Sequence, residues 1–399
     1  MIHSHHVAML SGSRDWRFGM PQEAKKNRQM GFSLLELMAA MTVMGIVLGA
    51  VFSLMGSGLK ASTMTYELTD AQENLRIAQE YITRDLTAAG DGLKSVGRIK
   101  LPMAFVNPYI TYTPVPAPSP SSDTDQYPPM GVLISDNNIA GTHDVLNASP
   151  AVKFKDVTDR ITILAESPGF LPVSLLPGKI TQTTSATRLT IDLASVSKFT
   201  IGDVISVLGG SAGDTLAFGL ITDIESPASA TPVLVLANSN TYGLNEAATV
   251  GGVESAMHLV GGINSSNTST LGASIIRMQI IQYYVNNSGY LMRRVFGLQG
   301  QSGQTAPFVD SVVADHVVNI QFRYFTSQLD VNGNVVAPVL GITDTDQQWK
   351  VAEVESIVTV ETVHQTLANG TRQQLSSTSM AAVRNLQFTR ARTDWAPPQ

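Results

Sequence analysis

The stretch "RQMGFSLLELMAAM", residues 28–41, decides the fold, because it opens a long apolar run that carries a glutamate near its start. From Phe32 to Leu59 the only charged residue is Glu36. About 20 apolar residues suffice to cross a bilayer as a helix, so this run is long enough to span. It also exceeds the 7–15-residue apolar core of an ordinary secretory signal peptide. Lys25, Lys26 and Arg28 stand just upstream, and such a basic flank marks the cytoplasmic side, which places the bulk of the chain across the membrane. A carboxylate at the centre of a bilayer costs roughly 2.5–3.5 kcal/mol, less near the interface, so Glu36 requires a reason. Two bland readings exist: the side chain snorkels to the interface, or it complements the helix N-terminus.

Outward from that run, "GFSLLELM" resembles the cleavage and methylation motif of type IV prepilins: a basic leader, a glycine, a phenylalanine, a glutamate four residues later and an unbroken apolar helix. The resemblance implies cleavage between Gly31 and Phe32 by a prepilin peptidase, which then methylates the new N-terminus at Phe32. It also gives Glu36 a role, that of the family's fifth mature residue. The Phe32 ammonium of one subunit meets the Glu36 carboxylate of its neighbour, a pair in low dielectric that offsets desolvation and fixes axial register. Residues 1–31 are then a cytoplasmic leader, whose loss removes five basic and two acidic residues. Met20 would start a more compact leader than Met1, leaving His3, His5 and His6 without a role.

No proline occurs between Pro21 and Pro102. Leu68, Leu75, Ile82 and Ala89, with Ala71 and Ala78, share one helical face, and charged residues fill the others. "AAGDG", residues 88–92, supplies a stop. The spacing predicts one helix from Phe32 to about Ala89, ~87 Å long at 1.5 Å per residue, with 32–59 as transmembrane or filament-core half and 60–92 as an amphipathic half that docks on a head. Gly45 and Gly49 form a G-x-x-x-G step, which serves either close helix contact or local stretching. "NLRIAQEYITRDLTAAGDGL", residues 74–93, resembles PilW-type minor pilins and, more distantly, J-type minor pseudopilins of type II secretion. On its own, the Arg84-Asp85 pair there reads as exposed charges near a helix end, worth little.

Beyond a Pro/Ser/Asp-rich loop at 112–130, periodicity changes to two. Strands are expected at 160–166, 188–194, 203–209, 216–224, 232–238 and 353–365. Hairpins are expected over 275–296, turning at Asn286–Gly289, and over 317–336, turning at Asn332-Gly333. The class is α+β: a long N-terminal helix, part transmembrane and part amphipathic, packed on an antiparallel sheet. Residues 93–179 form the first part of the head, 180–274 an inserted β-unit with "FTIGDVISVL" as its core strand followed by a loop at 246–274, and 275–399 the C-terminal antiparallel part. The order over 275–388 again resembles PilW-like proteins.

Composition narrows the chemistry. There is no cysteine, so disulfides, thiol catalysis and Cys-ligated metal are excluded. Net charge is −6, which gives no basic footprint for nucleic acid. "GGSAG" (209–213) matches G-x-S-x-G but precedes a strand rather than a helix, so Ser211 reads as a hairpin residue. "DVNGN" (330–334) departs from the calcium-loop spacing; Asp344 and Asp346 are loop carboxylates. His143, His258, His316 and His364 lack metal-ligand spacing, and there is no phosphate-binding P-loop. The expectation is a non-enzymatic protein with no catalytic, cofactor or metal site. The resemblance implies a minor pilin acting in assembly initiation or at the tip. Its partners are the prepilin peptidase/methyltransferase, other minor and major pilins, the inner-membrane assembly platform and the lipid bilayer. The alternatives are a type II secretion pseudopilin and, more remotely, a membrane-anchored surface hydrolase or adhesin that uses the 180–274 region.

Overall fold

The computed structural model describes residues 32–93, 99–111, 131–139, 144–145, 152–153, 157–210, 215–238, 243–247, 249–250, 253–297, 308–326, 336–342, 351–364 and 371–383. The chain divides into two compact units, Met1–Ser62 and Thr63–Gln399. One helix, α1 (Leu34–Thr87, 54 residues), supplies the described residues of the first unit after Ser33 and the start of the second.

In the first unit every described side chain is exposed, and the span-length apolar window is wholly unburied. The helix begins where Ser33 O accepts the N–H groups of Glu36 and Leu37, at 2.9 and 3.1 Å. Two of its hydroxyls are satisfied within the helix: Thr42 and Ser57 donate back to Met38 O and Ser53 O, at 2.8 and 3.0 Å. That satisfies a polar side chain inside an apolar helix without a partner from outside.

In the second unit the same helix buries Ala71, Leu75, Ala78, Ile82 and Leu86, the expected stripe at 3.6-residue spacing, with Leu68 half-buried at its upper end. The helix stops at Thr87. Gly90 and Gly92 take φ of 80° and 75°, the left-handed region that glycine enters at no steric cost. A Cβ at Gly92 would lie 2.8 Å from Glu166 Cβ, so glycine is also required there by close approach.

Every pairing between described strands of the head is antiparallel. We label its strands β1 (Leu133–Ile139), β2 (Thr158–Glu166), β3 (Val173–Leu175), β4 (Ile180–Gln182), β5 (Ala186–Thr190), β6 (Val204–Gly209), β7 (Thr215–Leu220), β8 (Asp223–Glu225) and β9 (Val233–Ala237). They continue with β10 (Ala273–Val285), β11 (Leu291–Phe296), β12 (Phe308–Ala314), β13 (Val317–Thr326), β14 (Val351–Glu361) and β15 (Gln374–Ala382). The large sheet runs β1-β2-β10-β11-β12. The 13-residue β10 is its spine: β3 and β2 line one side, β6 and β11 the other. A second sheet runs β8-β9-β5-β4, and a third runs β13-β14-β15.

The expected class, a long apolar N-terminal helix packed with antiparallel sheets, is what the structure has. Several local expectations change. Val204–Gly209, expected as the core strand of an inserted unit, pairs with Ser274–Met278 of the large sheet. The run 216–224 is two strands: at Ile221-Thr222 the chain leaves one sheet for the other, Ile221 N donating to Asp203 O and Thr222 N to Val235 O. The strand expected at 188–194 ends at Thr190, and Leu193–Val196 forms a helical turn. The 246–274 loop contains a short helix, Ala256–Gly261, capped by Ser255. The 275–296 hairpin turns where expected, with Asn286 N donating to Tyr290 O. The Asn332-Gly333 turn lies outside the described residues, although Tyr324 and Val339 bridge on either side of it.

Candidate functional site

The first candidate is the start of α1. Phe32 is 84% exposed, and Glu36 lies in the first turn, also exposed. Among the described residues the Glu36 carboxylate has no hydrogen-bond or ion-pair partner. Gly31 and the basic residues Lys25, Lys26 and Arg28 lie outside the described residues. Around Glu36 the helix surface is apolar on every side, with Leu34, Leu35, Met38 and Met41 all exposed. A contiguous apolar surface of this extent marks a membrane or protein contact. A Cβ at Gly45 or Gly49 would meet nothing within 4 Å.

The second candidate is the other end of α1, and here the sequence reading is corrected. Asp85 is buried, not an exposed charge beside Arg84. It accepts hydrogen bonds from Tyr283 Oη and Arg293 Nε, both at 2.6 Å. Arg84 Nε reaches it at 3.1 Å from a side chain 59% exposed. A carboxylate in the last turn of a helix opposes the helix dipole, so it needs donors from elsewhere. They come from β10 and β11. Burial, then the charge of Asp85, push Tyr283 well above its ordinary range, so its hydroxyl stays a donor. Burial works against charged Arg293, but its hydrogen bond and charge pairing with Asp85 outweigh that, and the net direction is upward. Sequence reasoning flagged Asp85 but not its burial, since its partners lie 198 and 208 residues away.

Further contacts run along the same helix. Glu67 Oε1 pairs with His364 Nδ1 at 2.6 Å, and Glu67 Oε2 accepts the His364 backbone N–H at 3.1 Å. Asn74 Nδ2 donates to Asp315 Oδ1 at 2.7 Å, and the Thr83 and Ser379 hydroxyls meet at 2.7 Å. These tie the amphipathic half to the third sheet. That sheet is in turn joined to the large one by Asp159, whose two oxygens accept the N–H groups of Asn138 and Phe322, each at 2.8 Å. Burial raises the Asp159 pKa, and the two N–H donors work against that rise.

Ser211, His143, the 330–334 segment, Asp344 and Asp346 lie outside the described residues. Gly209 and Thr215, on either side of Ser211 in the sequence, pair across β6 and β7. His258 touches Gln182 Oε1 at 3.2 Å and Glu254 at 3.5 Å, and His316 touches Asp315 at 3.1 Å. Among the described residues no three His, Cys, Asp or Glu side chains gather as a metal site.

No curated protein matches the chain. Residues 26–52 match the family model of the prokaryotic N-terminal methylation motif. The match ends within the apolar run, short of the head. The chain therefore carries a type IV pilin-like leader and the apolar helix that follows it, the N-terminal plan of a membrane-anchored pilin or pseudopilin.

Proposed function

We propose that the protein is a minor type IV pilin of the PilW-like kind. It is cut between Gly31 and Phe32, methylated on Phe32, and assembled into a pilus, where it initiates assembly or sits at the tip. The observation that carries this reading is the methylation motif over residues 26–52 leading directly into α1. The head of roughly 300 residues favours a tip position, because so bulky a head crowds repeated packing along a shaft. The leader faces the cytoplasm, residues 32–59 lie in the inner membrane before assembly, and the head lies outside the cytoplasm. The prepilin peptidase/methyltransferase acts first. The inner-membrane platform and the other minor and major pilins follow as partners.

The test is mass spectrometry of the mature N-terminus from native membranes, with Gly31→Val as the control. A terminal peptide that begins at Phe32 with one added methyl, lost in Gly31→Val, supports the reading. An intact leader, or a cut beyond the apolar run, overturns it.

A further inference from the structure

Sheet edges carry unpaired backbone groups, and proteins ordinarily blunt them with charge, proline, bulges or short strands. The described edges of this head mostly obey. β1 is bulged between Asp136 and Ile139, and Asp136 pairs with Arg160. β12 is bulged against β11 and carries Asp310. β8 is three residues long, two of them acidic, and β4 is bridged by Thr268. β13 is bulged twice, and the Asp159 carboxylate occupies its Phe322 N–H.

β15, "QLSSTSMAA", is different. It has nine residues and no charge, proline or glycine, and it pairs with β14 without a bulge from end to end. Its register shows which groups face outward. Thr362 N donates to Gln373 O, and Val383 N to Ala352 O. Odd-numbered residues therefore turn their backbone toward β14, and Gln374, Ser376, Thr378, Met380 and Ala382 turn theirs away. Gln374, Ser376, Thr378 and Met380 also have exposed side chains. Among the described residues no strand lies beyond them.

We infer that the β15 edge is a docking site for an extended segment of a different protein, which adds as a fourth strand to the third sheet. The chemistry of the occupant follows from the edge. Facing five uncharged residues, it is a proline-free strand, neutral along most of its length, with Ser, Thr or β-branched residues opposite Ser376 and Thr378. It carries one Lys or Arg opposite Ala382. There the short alanine leaves open the way to Glu353, its cross-strand neighbour on the same face, whose carboxylate has no ion-pair partner among the described residues. A second copy of this chain fits worse. Antiparallel self-pairing sets neutral Gln374 opposite Ala382. The strand addition does not rest on the function proposed above.

The experiment uses the full chain in detergent micelles and two end-blocked nonapeptides of alternating Thr and Val, one with a terminal Lys and one without. Amide hydrogen exchange is read at Ser376, Thr378 and Met380. These amides should exchange quickly in the protein alone and slow in the presence of either peptide. Thr378→Pro removes an outward N–H and leaves the β14 bonds in place, so it should abolish protection while thermal unfolding of the head stays cooperative. Glu353→Gln, which leaves the edge backbone untouched, should weaken only the Lys peptide, by about two- to fivefold as for an exposed ion pair. No protection at about 1 mM peptide overturns the proposal. So does prior protection of these amides in the protein alone: a dependence on protein concentration would assign the edge to a second copy, and independence of it to residues 384–399 of the same chain.

Discussion

The two halves of α1 share one backbone and differ in nearly everything their side chains meet. From Phe32 to Tyr66 every residue is exposed. From Ala71 to Leu86 one face is buried to the last few per cent, and a carboxylate, Asp85, is buried with it. The first half is apolar all round, so no single face directs it to the head, and its surface suits lipid or neighbouring helices. The second half concentrates its apolar residues on one stripe and holds Glu67, Asn74, Thr83 and Asp85 to specific partners. One carboxylate from each half shows the contrast best: Glu36 has no described partner, whereas Asp85 has donors on two strands. We read Glu36 as reserved for another subunit and Asp85 as satisfied within its own.

If that contrast is right, Glu36→Ala should abolish or strongly reduce incorporation into filaments while leaving cleavage, methylation and the thermal stability of the head unchanged. Wild-type filament content, measured by immunoblot of sheared surface fractions, would end the register argument. Asp85→Ala should do the reverse. It strands a buried Tyr283 hydroxyl and a largely buried Arg293, and breaking a buried pair from one side costs about 3–5 kcal/mol. Arg84→Ala, whose side chain is mostly exposed, should cost no more than about 1 kcal/mol. Equal losses in the two variants, by denaturant unfolding, would return Asp85 to the status of a surface charge.

The apolar residues can be compared the same way. Ile82→Ala removes a side chain with no exposure and should cost about 2–5 kcal/mol of head stability. Val51→Ala, at 52% exposure, should leave head unfolding unchanged within about 0.5 kcal/mol. The smallest effect concerns pH. Burial raises the pKa of Asp203 and of Asp159 above the carboxylate reference of 3.8. The folded state thus binds these protons more readily than the unfolded chain. Their burial penalty is full above the raised values and fades as pH falls toward that reference, so they make stability decline as pH rises through the raised values. Asp203→Asn should flatten that decline in chemical-denaturation midpoints measured across pH. An unchanged slope would place the titration elsewhere.

Much of this was legible before any coordinates. The Gly-Phe-x-x-x-Glu motif, the apolar run, the 3.6-residue stripe and the glycine stop are short-range signals, each complete within about 30 residues, and α1 has the expected extent. Alternating strands were legible for the same reason, because a period of two needs only a few residues to declare itself. Strand partners were not legible. "DVISVLG" reads as a strand in any sheet, and nothing within it specifies β10 some 70 residues on over its nearer neighbours. β15 escaped notice because "QLSSTSMAA" does not alternate in hydrophobicity: it is an edge strand whose register is set by β14.

By itself, then, the sequence determined the leader motif, the helix and its amphipathic switch, and the β character of the head. These depend on local periodicity and on residue types that act through their neighbours in the chain. The tertiary structure alone decided which sheet each strand joined, that Asp85 is buried between Tyr283 and Arg293, and that β15 is left as an unblunted edge. Those outcomes depend on groups as much as 208 residues apart. Whether a charge is buried, or a backbone amide is paired, is settled only when distant segments compete for the same space.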